Sequence, residues 1–326
     1  MIQRRGFLKG IAATVGLGAA AAVIRKRPVR PDPRDNPEVF RLDLDQYSHV
    51  DPALLNYTEI PHLADGLQGA SSMSLSPDGT LYLGVGKKVL RLSEESKATV
   101  AEVQGRVTAV AATSDGIVWA ATGPLLARYD SGRRQKSESV HLGERAYITS
   151  IALEEDRVFA ADAGQRTVWI FSVEGRLLER IDGRLERPGD PGFVVPSPWF
   201  QAAVGPGELW ITNPGRQRVE CYVKGLRTKV WGLAGMSAER FCGCCNPTHL
   251  ALLPGGGFVT SEKGIPRVKV YNQDGKLLSV VAGAEAFDEG TTGLAVAVAS
   301  DGRILVLDPM RGQVRAFTRR ITEDRV

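Results

Sequence analysis

The 326-residue sequence predicts an all-β fold built from six similar sheets, and three observations carry that prediction. Short apolar runs pair across turn signals six times. A second motif recurs behind four of those pairs. The 36 glycines stand beside apolar runs and form no low-complexity tract, as a fold with many tight turns requires.

Residues 74–83 turn at Asp78-Gly79, and residues 110–119 turn at Asp115-Gly116, 37 positions later. Residues 151–159 turn at Asp156-Arg157, 202–210 at Gly205-Pro206-Gly207, 250–259 at Gly255-Gly256-Gly257, and 296–306 at Asp301-Gly302. Asp-Gly supplies the positive φ angles of a tight hairpin, and period-two alternation beside it turns one face inward. One such sheet cannot bury both faces alone. A period of roughly 40 to 50 residues is that of a four-stranded propeller blade, so the prediction is a six-bladed β-propeller over residues 61–320.

The second motif has the form Arg or Gln, then Val-x-x-aromatic or a close variant. It occurs at Arg166…Phe171, Arg218-Val219…Tyr222, Arg267-Val268…Tyr271 and Gln313-Val314…Phe317. With Asp162, Asn213 and Asp308 ahead of it, the pattern resembles the NHL repeat, whose blades carry D-x-x-N-x-R-V-x-x-(Phe/Tyr). The resemblance runs from Gly69 to Arg319 and is strongest in the last four blades; blades 1 and 2 lack the Arg-Val step. A closed ring avoids an open edge strand. Residues 38–43 (Glu-Val-Phe-Arg-Leu-Asp) offer a closing strand or a loose arm, within a spacer over 28–60 whose start, residues 30–37, is rich in proline. Residues 321–326 form a tail.

The chain opens with Arg4-Arg5-Gly6-Phe7-Leu8-Lys9 and an apolar stretch over residues 10–24. The basic start, short apolar run and small residues at Ala20-x-Ala22 are the parts of an export leader, here residues 1–27. The run resembles the twin-arginine (Tat) signal, with Gln3 where Ser or Thr is usual. Fifteen residues rich in Gly and Ala fall short of a membrane span. The resemblance implies passage through the Tat translocase as a folded protein. It places the chain in the periplasm or on the outer face of the inner membrane, with membrane attachment only through an uncleaved leader.

Lys and Arg number 41 against 37 Asp and Glu, a formal net charge of +4. Six of the basic residues and no acid lie in the leader, so the remainder stands at −2. A body so near neutrality lacks the concentrated positive face that nucleic acid requires.

Three of four cysteines fall in Cys242-Gly243-Cys244-Cys245-Asn246-Pro247-Thr248-His249, just ahead of the inner strand of blade 5; the fourth is Cys221. Three readings stand. Cys242, Cys244, Cys245 and a fourth ligand from His249 or Cys221 would hold zinc or an iron–sulfur cluster, although the spacing departs from C-x-x-C. An oxidising compartment would allow two disulfides, a Cys244–Cys245 neighbour pair among them, or a loop staple with no activity. The third is free redox-active thiols. Glu262 and Lys263 line the same channel mouth or, alternatively, Glu262 replaces the repeat's turn-stabilising Asp while Lys263 is solvated. No Walker loop, nucleophile elbow, dinucleotide fingerprint or H-E-x-x-H is present.

Two functions follow from the resemblance. One is a binding or assembly platform that meets an envelope protein or redox partner at the cysteine loop. The alternative is a metal-dependent lactonase- or lyase-like enzyme using Glu262, Asn246, Asn213 and His249 around the channel. Convergent carboxylates in the channel would favour the enzyme; an uncharged channel with an exposed cysteine loop would favour the platform.

Overall fold

A computed structural model describes residues 45–93, 96–130, 135–184 and 189–320. The leader, residues 28–43 and the tail lie outside the described residues.

Six four-stranded antiparallel sheets follow one another along the chain. The innermost strands are Ala70–Leu75, Ala109–Ala112, Ile148–Glu154, Ala202–Gly205, His249–Leu252 and Ala295–Val298. Each leads outward through three further strands, so all six predicted hairpins are the first two strands of a blade. The turn chemistry differs from the expectation in one respect. In residues 76–80 only Gly79 takes positive φ, at 84°, and its N–H donates to the Ser76 carbonyl. The Ser76 N–H donates to Thr80, and the Asp78 carboxylate accepts from Thr80 N and Ser76 Oγ. Aspartate therefore caps the turn, and glycine alone supplies the left-handed step. Gly116 and Gly302 repeat this geometry.

The sixth sheet is completed from the other end of the chain. Its outermost strand is Tyr57–Ala64, antiparallel to Gln313–Arg319 with Glu59 opposite Phe317. Closure thus uses residues 57–64. Residues 38–43, the predicted closing strand, lie outside the described residues. Arg315 clamps the seam, donating to Glu59 at 2.8 and 2.7 Å and to Asp308 at 3.3 Å.

Six buried apolar clusters occur among the described residues, each made from two adjacent blades. Blades 6 and 1, for instance, share a cluster around Leu83, Leu90, Leu307 and Val314. Each sheet therefore buries both faces only because it has two neighbours, the physical reason for ring closure.

The polar residue ahead of the recurrent motif has a structural role, which Glu262 takes in blade 5. The last residue of the second strand, or the one after it, is bonded by the side chain seven positions on, in the third strand. Trp169 Nε1 donates to Asp162 at 3.1 Å, Asn213 Nδ2 to Glu220 at 2.8 Å, Lys269 Nζ to Glu262 at 2.9 Å, and Arg315 to Asp308. Blades 1 and 2 lack this lock because their second and third strands join more tightly, with Val85 opposite Lys88 and Thr122 opposite Leu125.

Candidate functional site at the channel mouth

The innermost strands enclose a channel of about 700 Å3 whose wall is Ser, Thr, Gln and aliphatic side chains with Met73, and with His249 toward one end. Charged residues Asp115, Arg128, Glu155 and Arg157 border it near the hairpin turns. At the opposite end, where the inner strands begin, lies a second cavity of about 330 Å3 bordered by Arg106, Thr108, Trp199, Gln201, His249 and Met310. His249 borders both cavities.

Connections between blades border this mouth, among them residues 189–201, 232–248 and 283–294. Trp199 from the first packs edge-on against His249, ring centroids 5.4 Å apart. Gly293 from the third lies so close to Trp199 that a Cβ there would sit 2.6 Å from the indole. The His249 ring is held by Thr248 Oγ1 and Ser261 Oγ, both 3.3 Å from Nδ1. Burial pushes its pKa down to about 4, so the imidazole is neutral at pH 7. Trp199 was not foreseen. Its signal was that it alone among five tryptophans falls in a connection between blades; the other four lie on strands.

The cysteine connection is pinned at its base. Phe241 is fully buried against Trp231 and Tyr271. The Cys242 N–H donates to Glu262 Oε1 at 2.9 Å, and Arg267 Nε and Lys269 Nζ donate to Oε2 at 2.8 and 2.9 Å. Glu262, Arg267 and Lys269 are almost wholly inaccessible. Lys269 also donates to the Ala238 and Arg240 carbonyls, and burial lowers its pKa to about 8 against the opposing pull of Glu262. Glu262 is therefore a structural anchor in the place of the repeat's aspartate. Asn246 ties the connection to blade 5, donating to the Cys242 and Lys263 carbonyls at 2.7 and 2.9 Å and accepting from Lys263 N at 2.9 Å. Asn213 is likewise consumed, accepting from Val194 N and donating to Glu220. Lys263 is half-buried, and its ammonium donates to Ser197 Oγ at 3.3 Å.

The four cysteines divide in three. Cys221 stands on Arg218–Val223 opposite Trp210 and Lys229, with its thiol in the aromatic core between blades 4 and 5. Cys242 is buried, and its sulfur meets the Lys263 carbonyl at 3.6 Å. Burial raises both pKa values, with Glu262 adding to the effect at Cys242, so both are neutral thiols. Cys244 is exposed, Cys245 is buried, and their sulfurs lie 3.2 Å apart. Burial alone would raise Cys245, but hydrogen bonds from Ser197 and Cys244 and the charge of Lys263 outweigh it and lower its pKa.

The set named for zinc or an iron–sulfur cluster does not fit either. Among the described residues no three His, Cys, Asp or Glu side chains are grouped so as to hold a metal ion. Cys221 belongs to the core, Cys242 is engaged by blade 5, and His249 Nδ1 faces Thr248 and Ser261. All four cysteines are free thiols.

No protein-family model and no curated protein sequence matches this chain. Solved structures do resemble it. A streptogramin B lyase structure superposes with a TM-score of 0.55 at 10% identity, over 83% of this chain and all of that one. A chain of a mitotic checkpoint complex superposes with a TM-score of 0.56 at 12% identity, over 97% of this chain and all of that one. At such identities the likeness is one of fold. The chain is a six-bladed β-propeller.

Proposed function

We propose that this chain is an exported, NHL-type propeller that serves as a binding and assembly platform in the cell envelope. Its working face is the mouth bordered by residues 189–201, 232–248 and 283–294. One observation carries this reading. The innermost strands line the channel with uncharged side chains, its four charged borders standing near the hairpin turns, while the mouth presents a half-buried Trp199 packed on a neutral His249. An aromatic side chain beside a cavity bordered mostly by uncharged groups, with Arg106 its one charged border, suits insertion of a largely uncharged group from a partner. The Arg4-Arg5-x-Phe7-Leu8-Lys9 run supports export, and the repeated second-strand lock supports kinship with NHL blades.

The lactonase- or lyase-like alternative needs free polar groups converging on the channel. Glu262 and Asn213 are instead bonded to their own blades and to the adjoining connections, and Asn246 is spent holding the cysteine connection. That weighs toward the platform.

The test is site-specific photocrosslinking in cells that export the protein. A benzoylphenylalanine at Met310, at the mouth, should yield a discrete adduct that Trp199→Ala removes. The same probe at Pro206, on a hairpin turn at the opposite end, should yield none. Equal labelling from both positions, or none from Met310, would rule out the mouth as the working face.

A further inference from the structure

We propose that Cys244 and Cys245 form a dithiol–disulfide couple that exchanges with a disulfide carried by the platform's partner. The inference rests on the platform reading for its partner, and on the geometry of the loop for its chemistry.

Three observations make the pair more than two adjacent thiols. The sulfurs already face each other at 3.2 Å, so about 1 Å of approach completes a bond of disulfide length. One sulfur is reachable and the other is not, since Cys244 is exposed and Cys245 is 3% exposed. The groups around Cys245 come from elsewhere in the fold: Ser197 from the preceding inter-blade connection, and Lys263 from the end of blade 5, bonded to each other. The loop is held on both sides of the pair by the Cys242 amide on Glu262 and by Asn246 on Lys263. Cys242 and Cys221 are turned into other contacts.

The exposed position assigns the order of steps. The Cys244 sulfur, whose pKa the Cys245 neighbour raises, passes its proton to that neighbour and attacks one sulfur of the partner disulfide R–S–S–R′, forming Cys244–S–S–R as R′S⁻ leaves. Cys245 then attacks the Cys244 sulfur across the 3.2 Å gap, forming the Cys244–Cys245 bond and expelling RS⁻. The two protons of the cysteine thiols end on the departing thiolates. Two thiols and one disulfide become one disulfide and two thiols, and two electrons pass to the partner. Lys263, beside Cys245, favours the thiolate that performs the second step.

The experiment treats the purified full chain with glutathione disulfide as the probe, quenches in acid, alkylates and maps the products by mass spectrometry. The wild type should fall from four free thiols to two, with the loss confined to the Cys244–Cys245 peptide and no glutathione retained. Cys245→Ser should stall with one glutathione on Cys244, which isolates the resolving step. Cys244→Ser should retain no glutathione and keep its three thiols. Cys242→Ser, which leaves both reacting sulfurs in place, should still close the bond. Four thiols surviving in the wild type, a lasting glutathione adduct on wild-type Cys244, or glutathione taken up by Cys245 in Cys244→Ser would each overturn the couple. Loss of exchange with the Met310 crosslink intact rejects the couple alone. Intact exchange with no crosslink rejects the platform alone.

Discussion

Glu262→Gln removes the one negative charge on which Arg267, Lys269 and the Cys242 N–H converge. All three charged side chains are shut away from water, so the variant leaves two buried cations uncompensated. Breaking a buried pair in this way costs about 3–5 kcal/mol. Two features pull the value to the lower end. Lys269 keeps the Ala238 and Arg240 carbonyls, and its pKa, already lowered to about 8 by burial, would fall further and let it shed the proton. At about 2–4 °C per kcal/mol for a chain of this size, melting should drop by roughly 6–12 °C. Calorimetry at pH 7 measures it. The deficit should shrink at pH 9, where a neutral lysine no longer needs the carboxylate. Adding Lys269→Met should recover part of the loss, because an apolar chain tolerates the buried site. A loss below about 1 kcal/mol, or a Lys269→Met effect that simply adds, would refute the buried charge knot as the anchor of the cysteine loop.

Three further outcomes are expected. His249 is neutral in the fold with a pKa of about 4, below the ordinary 6.5, so between those values the unfolded chain binds the extra proton. Stability should therefore fall as pH drops from 6.5 to 4, by up to about 3 kcal/mol, and His249→Gln should flatten that part of the denaturation profile. A chain beginning at Asp65 lacks Tyr57–Ala64 and exposes the edge of Gln313–Arg319; light scattering should find it aggregated where the full chain is not. Changing Arg4 and Arg5 to Lys should hold the protein in the cytoplasm on fractionation, and export unaffected by that change would count against the twin-arginine reading.

The hairpins were legible because their turn chemistry is local: an Asp or Ser that caps and a Gly that takes the left-handed step lie within five residues. The closing strand was not. Residues 57–64 contain Pro61, which has no N–H to give the ladder, and the pairing breaks register between Ile60 and Ala64. Half-exposed and thinly apolar, that segment alternates less clearly than residues 38–43. The cysteine run was recognised as a cluster, but its spacing says nothing of which sulfur turns inward. Cys242 and Cys245 are both buried, yet only one meets Cys244. Ser197 and Lys263 are 66 residues apart in sequence, and only the fold brings them together. Glu262 was weighed as a channel residue and as a turn anchor, and its three bonds decide for the second.

The seam between Tyr57–Ala64 and Gln313–Arg319 also governs timing. Glu59 is synthesised 256 residues before the arginine that clamps it, so the sixth blade stays one strand short until synthesis is nearly finished. Earlier blades can stack as they emerge, but the circle completes last and all at once. For a protein proposed to cross a membrane already folded, that late closure works as a proofreading step: a truncated chain retains an open edge, and only a full-length one becomes the sealed cargo.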